Sequence, residues 1–245
     1  MTPKPLPTLV ACAHGTRDEG GVAAVRALVE AVRGARPSLS VRVAFVDVQS
    51  PTFESVVGET EGAAVVVPLL LAAGYHVHVD LAGAIAARAD VTRSAVLGRN
   101  RTILEIMLSR VREVGAVPGD HNVWASAGSS DARARTEIQA AARAFGQLWG
   151  APVRVGYVAG SVPSVADEVA DVRTQSRWSP GSSRVVVASH LLTPGTFWHR
   201  LHGSGADLVS APLLTAAEPD PRLVRLILRR FAEATSHQAD LSRAM

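Results

Sequence analysis

Two histidines stand where apolar runs end. In LVACAHGTRD, His14 follows the run from Leu9 to Ala13; in AAVVVPLLLAAGYHVHVDL, residues Ala63 to Leu81, the run stops at Gly74 and delivers Tyr75, His76, His78 and Asp80. An imidazole titrates near neutrality, so in its neutral form it accepts a proton or ligates a transition metal. One strand-end histidine is more often structural or simply solvated. Two of them ending two strands point to a shared site, because open parallel sheets bind ligands at the carboxyl ends of their strands. His78 is a further ligand candidate that a helix start would turn away, and Asp80 reads as an orienting or helix-starting carboxylate.

The elements that must position these residues alternate. A strand over Thr8–Ala13 leads through HGTRDEGG into a helix carrying Val22, Val25, Leu28, Val29 and Val32 on one face, with Asp18 and Glu19 at its start. A strand over Val41–Val48, a short helix from Phe53 to Glu59 opened by Pro51, and a strand over Ala63–Leu71 follow. Then come a helix over Val77–Arg88, a strand over Val91–Leu97 and a helix over Thr102–Val114. Strand–helix alternation of this kind predicts a mostly parallel sheet with helices on both faces.

The pattern then repeats. NVWASAGSSD mirrors LVACAHGTRD with Ala127 in the place of His14. VRVGYVAGSVPS mirrors VRVAFVDVQSPT, and VVVASHLLTPGTF pairs Gly195 with Gly74 and Phe197 with His76. A helix over Pro221–Ala234 mirrors the one that ends the first copy, and Arg173–Ser183 reads as a loop added to the second. The expectation is two tandem three-layer α/β/α units related by a pseudo-twofold axis, residues 1–116 and 117–245. Ala127 and Phe197 can neither ligate metal nor move protons, so the first unit would carry the chemistry and the second would wall the cleft.

Composition narrows the function classes. With 47% apolar residues in 245, the chain can bury a sizeable core. The formal charge of +3 is slight, and Lys4 is the only lysine. Arginine supplies the rest of the positive charge, which suggests either codon bias or an arginine-lined cleft for a polyanion. Basic runs interleaved with aromatics are missing, which argues against nucleic acid as a partner. Cys12, the only cysteine, lies inside an apolar strand, so an intrachain disulfide is excluded. MTPKPLP lacks the apolar stretch of a signal peptide and Pro68 interrupts the longest apolar run, so the expectation is a cytoplasmic protein that does not enter a membrane.

The motifs His14-Gly15-Thr16-Arg17 and Gly74-Tyr75-His76 followed by Asp80 resemble those of the class II chelatase family, the sirohydrochlorin ferrochelatases and the cobaltochelatases of anaerobic cobalamin synthesis. The layout resembles the family's long, internally duplicated members. Thr16 stands where the family usually has Ser, and Asp47 near where members often carry Glu. The resemblance implies insertion of a divalent metal, Fe²⁺ foremost and Co²⁺ as the alternative, into sirohydrochlorin, with the ion as substrate and no organic cofactor. His14 and His76 would hold the ion and take up the two pyrrole protons. Thr16, Arg17, Asp47 and Gly74 would meet the substrate, Arg17 by pairing with its carboxylates and Gly74 by letting the backbone approach a flat ring. A duplicated chain supplies both walls, so a monomer is expected. Two other readings are a non-catalytic tetrapyrrole- or metal-binding protein and a histidine phosphatase; the latter needs an arginine where this chain has Ala13. His190, His199 and His202 are left without a role, as are His121 and His237.

Overall fold

In the computed structural model, which describes residues 6–72, 74, 80–176 and 184–244, strand and helix alternate through both halves. The first half comprises β1 (Thr8–Ala13), α1 (Glu19–Ala35), β2 (Val41–Phe45), α2 (Phe53–Glu59), β3 (Ala64–Pro68), α3 (Asp80–Ala86), β4 (Val91–Arg93) and α4 (Arg101–Glu113). The second comprises β5 (His121–Ser126), α5 (Ala132–Trp149), β6 (Arg154–Tyr157), α6 (Val165–Ser176), β7 (Val185–His190), α7 (Thr196–Leu201), β8 (Leu208–Val209) and α8 (Pro221–Ala244). Each half builds one four-stranded sheet, ordered β2-β1-β3-β4 and β6-β5-β7-β8, and every pairing is parallel.

The central strands of the first sheet, β1 and β3, are almost wholly apolar because both sheet faces are covered. In β1, Leu9, Ala11 and Ala13 face the partner half, while Val10 and Cys12 face outward. Burial there pushes the Cys12 thiol far up from its ordinary range. The inner faces of both sheets share one core with α1, α4, α5 and α8. α2 and α3 cover the outer face of the first sheet around Val10, Phe53, Val56 and Leu81. α6 and α7 do the same for the second around Val123, Val169 and Leu201. The fold is thus two α/β/α units that hold a common layer of helices between them.

The closing helices of the two halves are exchanged. α4 leaves its own sheet and packs on β7 and α5, whereas α8 returns to pack on β3, β4 and α1. Arg222 Nη2 donates to Ser109 Oγ at 3.3 Å and Arg229 Nη2 to Asn100 Oδ1 at 3.3 Å, which ties α8 to α4 where they cross.

Several expected boundaries move. β2 stops at Phe45, and Val46–Ser50 bend away, with Val48 at φ 55°, a sparsely allowed region for a β-branched residue. β3 and β4 end at Pro68 and Arg93, short of Leu71 and Leu97; after β3 the apolar run continues into the cavity wall. Of the expected loop Arg173–Ser183, residues 173–176 are the last turn of α6, and 177–183 lie outside the described residues. The helix expected at Val77 is described from Asp80 onward. α8 runs ten residues past Ala234, to Ala244. His121 opens β5 and His237 lies within α8.

Candidate active site

The chain doubles back at the carboxyl end of β1 by a turn that only glycine allows. Gly15 has φ 102°, and a Cβ there would stand 2.0 Å from the carbonyl oxygen of Asp47. Gly128 repeats the situation at φ 97°, with its Cβ position 1.8 Å from the Ala159 carbonyl oxygen. Ala13 pairs with Phe45 and Ser126 with Tyr157, so His14 and Ala127 follow equivalent strand ends. The surrounding bonds match as well. Thr16 N–H donates to Gln49 Oε1 at 2.8 Å and Ser129 N–H to Ser161 Oγ at 3.2 Å. Asp18 and Asp131 then cap α1 and α5, accepting from Gly21 N–H and Arg133 N–H. Even the cis peptides correspond, Ser50–Pro51 and Val162–Pro163.

The two units meet turn to glycine. The Cβ position of Gly74 lies 3.4 Å from Ser129 Oγ, and that of Gly195 lies 3.6 Å from Thr16 Oγ1, the reciprocal pair expected of a pseudo-twofold axis. Between them opens a cavity of about 580 Å³, within the range of small-molecule sites. The first unit lines it with Ala13 to Thr16, Gln49, Leu69 to Ala72 and Gly74. The second contributes Ser126 to Ser130 and the run from His190 to Trp198. The cavity therefore sits at the carboxyl ends of both sheets' strands, as the alternation of elements predicts.

Of the residues singled out from sequence, the structure brings together His14, Thr16 and Gly74 on this cavity. His14 is solvent-exposed. Asp47 reaches the turn through its main chain, its N–H donating to the His14 carbonyl at 2.9 Å, while its carboxylate accepts from Val48 N–H at 2.7 Å. Neither Asp47 nor Arg17 lines the cavity; both are exposed. His76 and His78 lie outside the described residues, as does the side chain of Asp80. Among the described residues no group of three or more His, Cys, Asp or Glu is arranged to hold a metal ion. The arginine-lined cleft does not materialise: no Asp, Glu, Lys or Arg is among the described lining residues. Arginines stand at the rim instead: Arg17 next to Thr16, Arg200 with its guanidinium 5.8 Å from the Phe197 ring, and Arg135 donating to the Ser129 and Ser130 carbonyls. His199 Nε2 lies 3.6 Å from Asp18 Oδ2, across the junction between the units.

Residues 8–114 match the CbiX family model. The N-terminal unit belongs to the class II chelatase family. No relative among curated proteins matches the chain by sequence. Among solved structures, the chain resembles SirB from Bacillus subtilis with Fe³⁺ at TM-score 0.74 and 15% identity, covering 96% of this chain and 97% of that one. The sirohydrochlorin chelatase SirB from Bacillus subtilis subspecies spizizenii, in complex with cobalt, is similar at TM-score 0.69 and 16% identity over 94% and 96%. CbiX, the terminal enzyme of siroheme biosynthesis in denitrifying bacteria, follows at TM-score 0.63 and 16% identity over 93% and 99%. The whole chain thus has the two-unit chelatase fold.

Within this chelatase framework the second unit differs from the first in a way the histidine motifs do not reveal. His190 ends β7 and is 2% exposed, with Nδ1 3.4 Å from Ser126 Oγ and its ring 4.4 Å from that of Trp124. Its Nε2 is buried and has no hydrogen-bond partner among the described residues. Burial pushes its pKa down to about 3, so the ring stays neutral. The signal was present in the repeat: His190 occupies the place of Leu69, and Ser126 that of Ala13.

Proposed function

We propose that the chain inserts a divalent metal ion into a polycarboxylate tetrapyrrole, with Fe²⁺ and sirohydrochlorin as the foremost pair and Co²⁺ as the alternative ion. The observation that carries this reading is the cavity itself. It lies between two pseudo-equivalent units, has no charged lining among the described residues, and takes an exposed imidazole, His14, from the first unit, whereas the second unit's His190 is buried in the wall. The match of residues 8–114 to the CbiX family model supports it, as does the fold shared with proteins that are named for this chemistry.

Insertion exchanges two pyrrole protons for one divalent ion. A neutral imidazole suits both halves of that exchange, accepting a proton and ligating a transition metal. His14 stands at the cavity wall, and His76 follows Gly74 in the sequence, so both would serve on the first unit's side. A pair of protein ligands would hold the ion loosely enough to surrender it to the ring. The apolar lining would accept the flat macrocycle, leaving its carboxylates at the rim near Arg17, Arg135 and Arg200. One chain supplies both walls, and a monomer would suffice.

The test is metal insertion followed spectroscopically with sirohydrochlorin and Fe²⁺ or Co²⁺. His14→Ala and His76→Ala should each lower the rate by a factor of about 10² to 10⁴, and the double variant should lose little more, since members of one unit are non-additive. A His76→Ala variant that folds normally and inserts metal at the wild-type rate would refute the site. Ring binding without insertion in the wild type would identify a binding protein instead.

A further inference from the structure

Five inward-facing positions differ systematically between the two sheets. Where the first has Leu9, Ala11, Ala13, Phe45 and Leu69, the second has Asn122, Trp124, Ser126, Tyr157 and His190, as the equivalent ladder positions show. All are buried. Both amide atoms of Asn122, Nε1 of Trp124, the hydroxyl of Tyr157 and Nε2 of His190 have no hydrogen-bond partner among the described residues. Since the first unit fills the same places with hydrocarbon, folding does not require the polar atoms. Leaving such groups unsatisfied is unfavourable, and this is a sign of function elsewhere in proteins. Ser126 and His190 are the two of the five that reach the cavity, and the Trp124 ring against His190 holds the imidazole plane.

Resting on the tetrapyrrole reading above, the geometry points to His190 and Ser126 as an uncharged hydrogen-bonding subsite that recognises the nitrogens of the metal-free ring from the second unit's wall. The imidazole is held neutral by burial, so it offers a hydrogen bond and no countercharge. A carboxylate would call for a cation, and none is among the described lining residues. A metal-free ring carries N–H donors and bare nitrogen acceptors at its centre; once the ion is in place, all four nitrogens are engaged. A subsite for those nitrogens therefore distinguishes substrate from product.

The experiment is a set of equilibrium titrations, without free metal, of wild type, His190→Leu, His190→Gln and Ser126→Ala with sirohydrochlorin and with its cobalt-loaded form, plus Co²⁺ alone. His190→Leu should bind the metal-free ring about ten-fold more weakly, the scale of one hydrogen bond. It should bind the cobalt-loaded ring and Co²⁺ as wild type does. His190→Gln should recover most of the loss, and the melting temperature of His190→Leu should not fall, which excludes misfolding. Equal affinity of His190→Leu and wild type for the metal-free ring would overturn the subsite while leaving the proposed function intact. Equal weakening toward both rings would reassign His190 to shape, and loss of Co²⁺ binding would make it an ion ligand; either overturns the inference. A wild type that binds neither ring overturns the proposed function and this subsite with it.

Discussion

The buried imidazole of His190 should make the protein acid-sensitive in a way that one substitution removes. Its pKa is 6.5 in the ordinary state and about 3 when folded, with desolvation as the cause. Between those values the unfolded chain binds a proton that the native chain refuses, so stability falls as pH falls through 6.5 and goes on falling toward 3. At pH 5, about 1.5 units below the unfolded value, the loss from this group is about 2 kcal/mol, at about 1.4 kcal/mol per unit. Leucine at this position has nothing to titrate, and Leu69 shows that it fits the equivalent place. Urea unfolding of wild type and His190→Leu at pH 7.5 and pH 5, followed by tryptophan fluorescence, isolates the effect. The carboxylates common to both chains cancel in the double difference, which should come to about 2 kcal/mol with wild type the more pH-dependent. At pH 7.5 the variant should be no less stable than wild type, because an unsatisfied buried polar atom is gone. Identical pH dependence in both chains would refute the argument.

Two further substitutions probe the turn and the rim. Gly15→Ala puts a methyl group 2.0 Å from the Asp47 carbonyl at positive φ, and should destabilise by about 3 kcal/mol or more in urea unfolding; Gly62→Ala, also at positive φ (68°) but with nothing within 4 Å, should cost only about 1 kcal/mol. Arg17→Ala should raise KM for sirohydrochlorin by a factor worth about 1–3 kcal/mol with kcat little changed, while a variant with unaltered KM would remove Arg17 from the substrate's carboxylates.

The alternation of elements, both sheets and the equivalence of His14 with Ala127 were legible because they rest on local signals: apolar runs, turn glycines and capping aspartates repeat at matching places. Strand ends were less so. Leu69 to Leu71 is as apolar as the ladder before it, and pattern alone does not say that these residues leave the sheet to line a cavity. The composition left codon bias and an arginine-lined cleft both open, because an arginine count carries no position. Many of this chain's arginines are engaged in ion pairs away from the cavity, such as Arg88–Asp90, Arg173–Asp207 and Arg154–Asp171. The polar wall lies in single substitutions within the second repeat, Asn122 for Leu9, Ser126 for Ala13 and His190 for Leu69, which leave the strand pattern unchanged.

The exchange of closing helices bears on how the protein is made. The first sheet is complete once Val91–Arg93 has been synthesised, yet part of its inner face is covered by α8, which begins at Pro221. During translation the apolar side chains of Leu9, Val65 and Val67 must wait for well over a hundred further residues before that helix arrives, while α4 in turn waits for the strands of the second sheet. The halves cannot mature one after the other as independent units do. The nascent first half carries an unsheltered apolar surface until α8 has been made, and the cavity, which needs walls from both, comes into being only after the second sheet has formed.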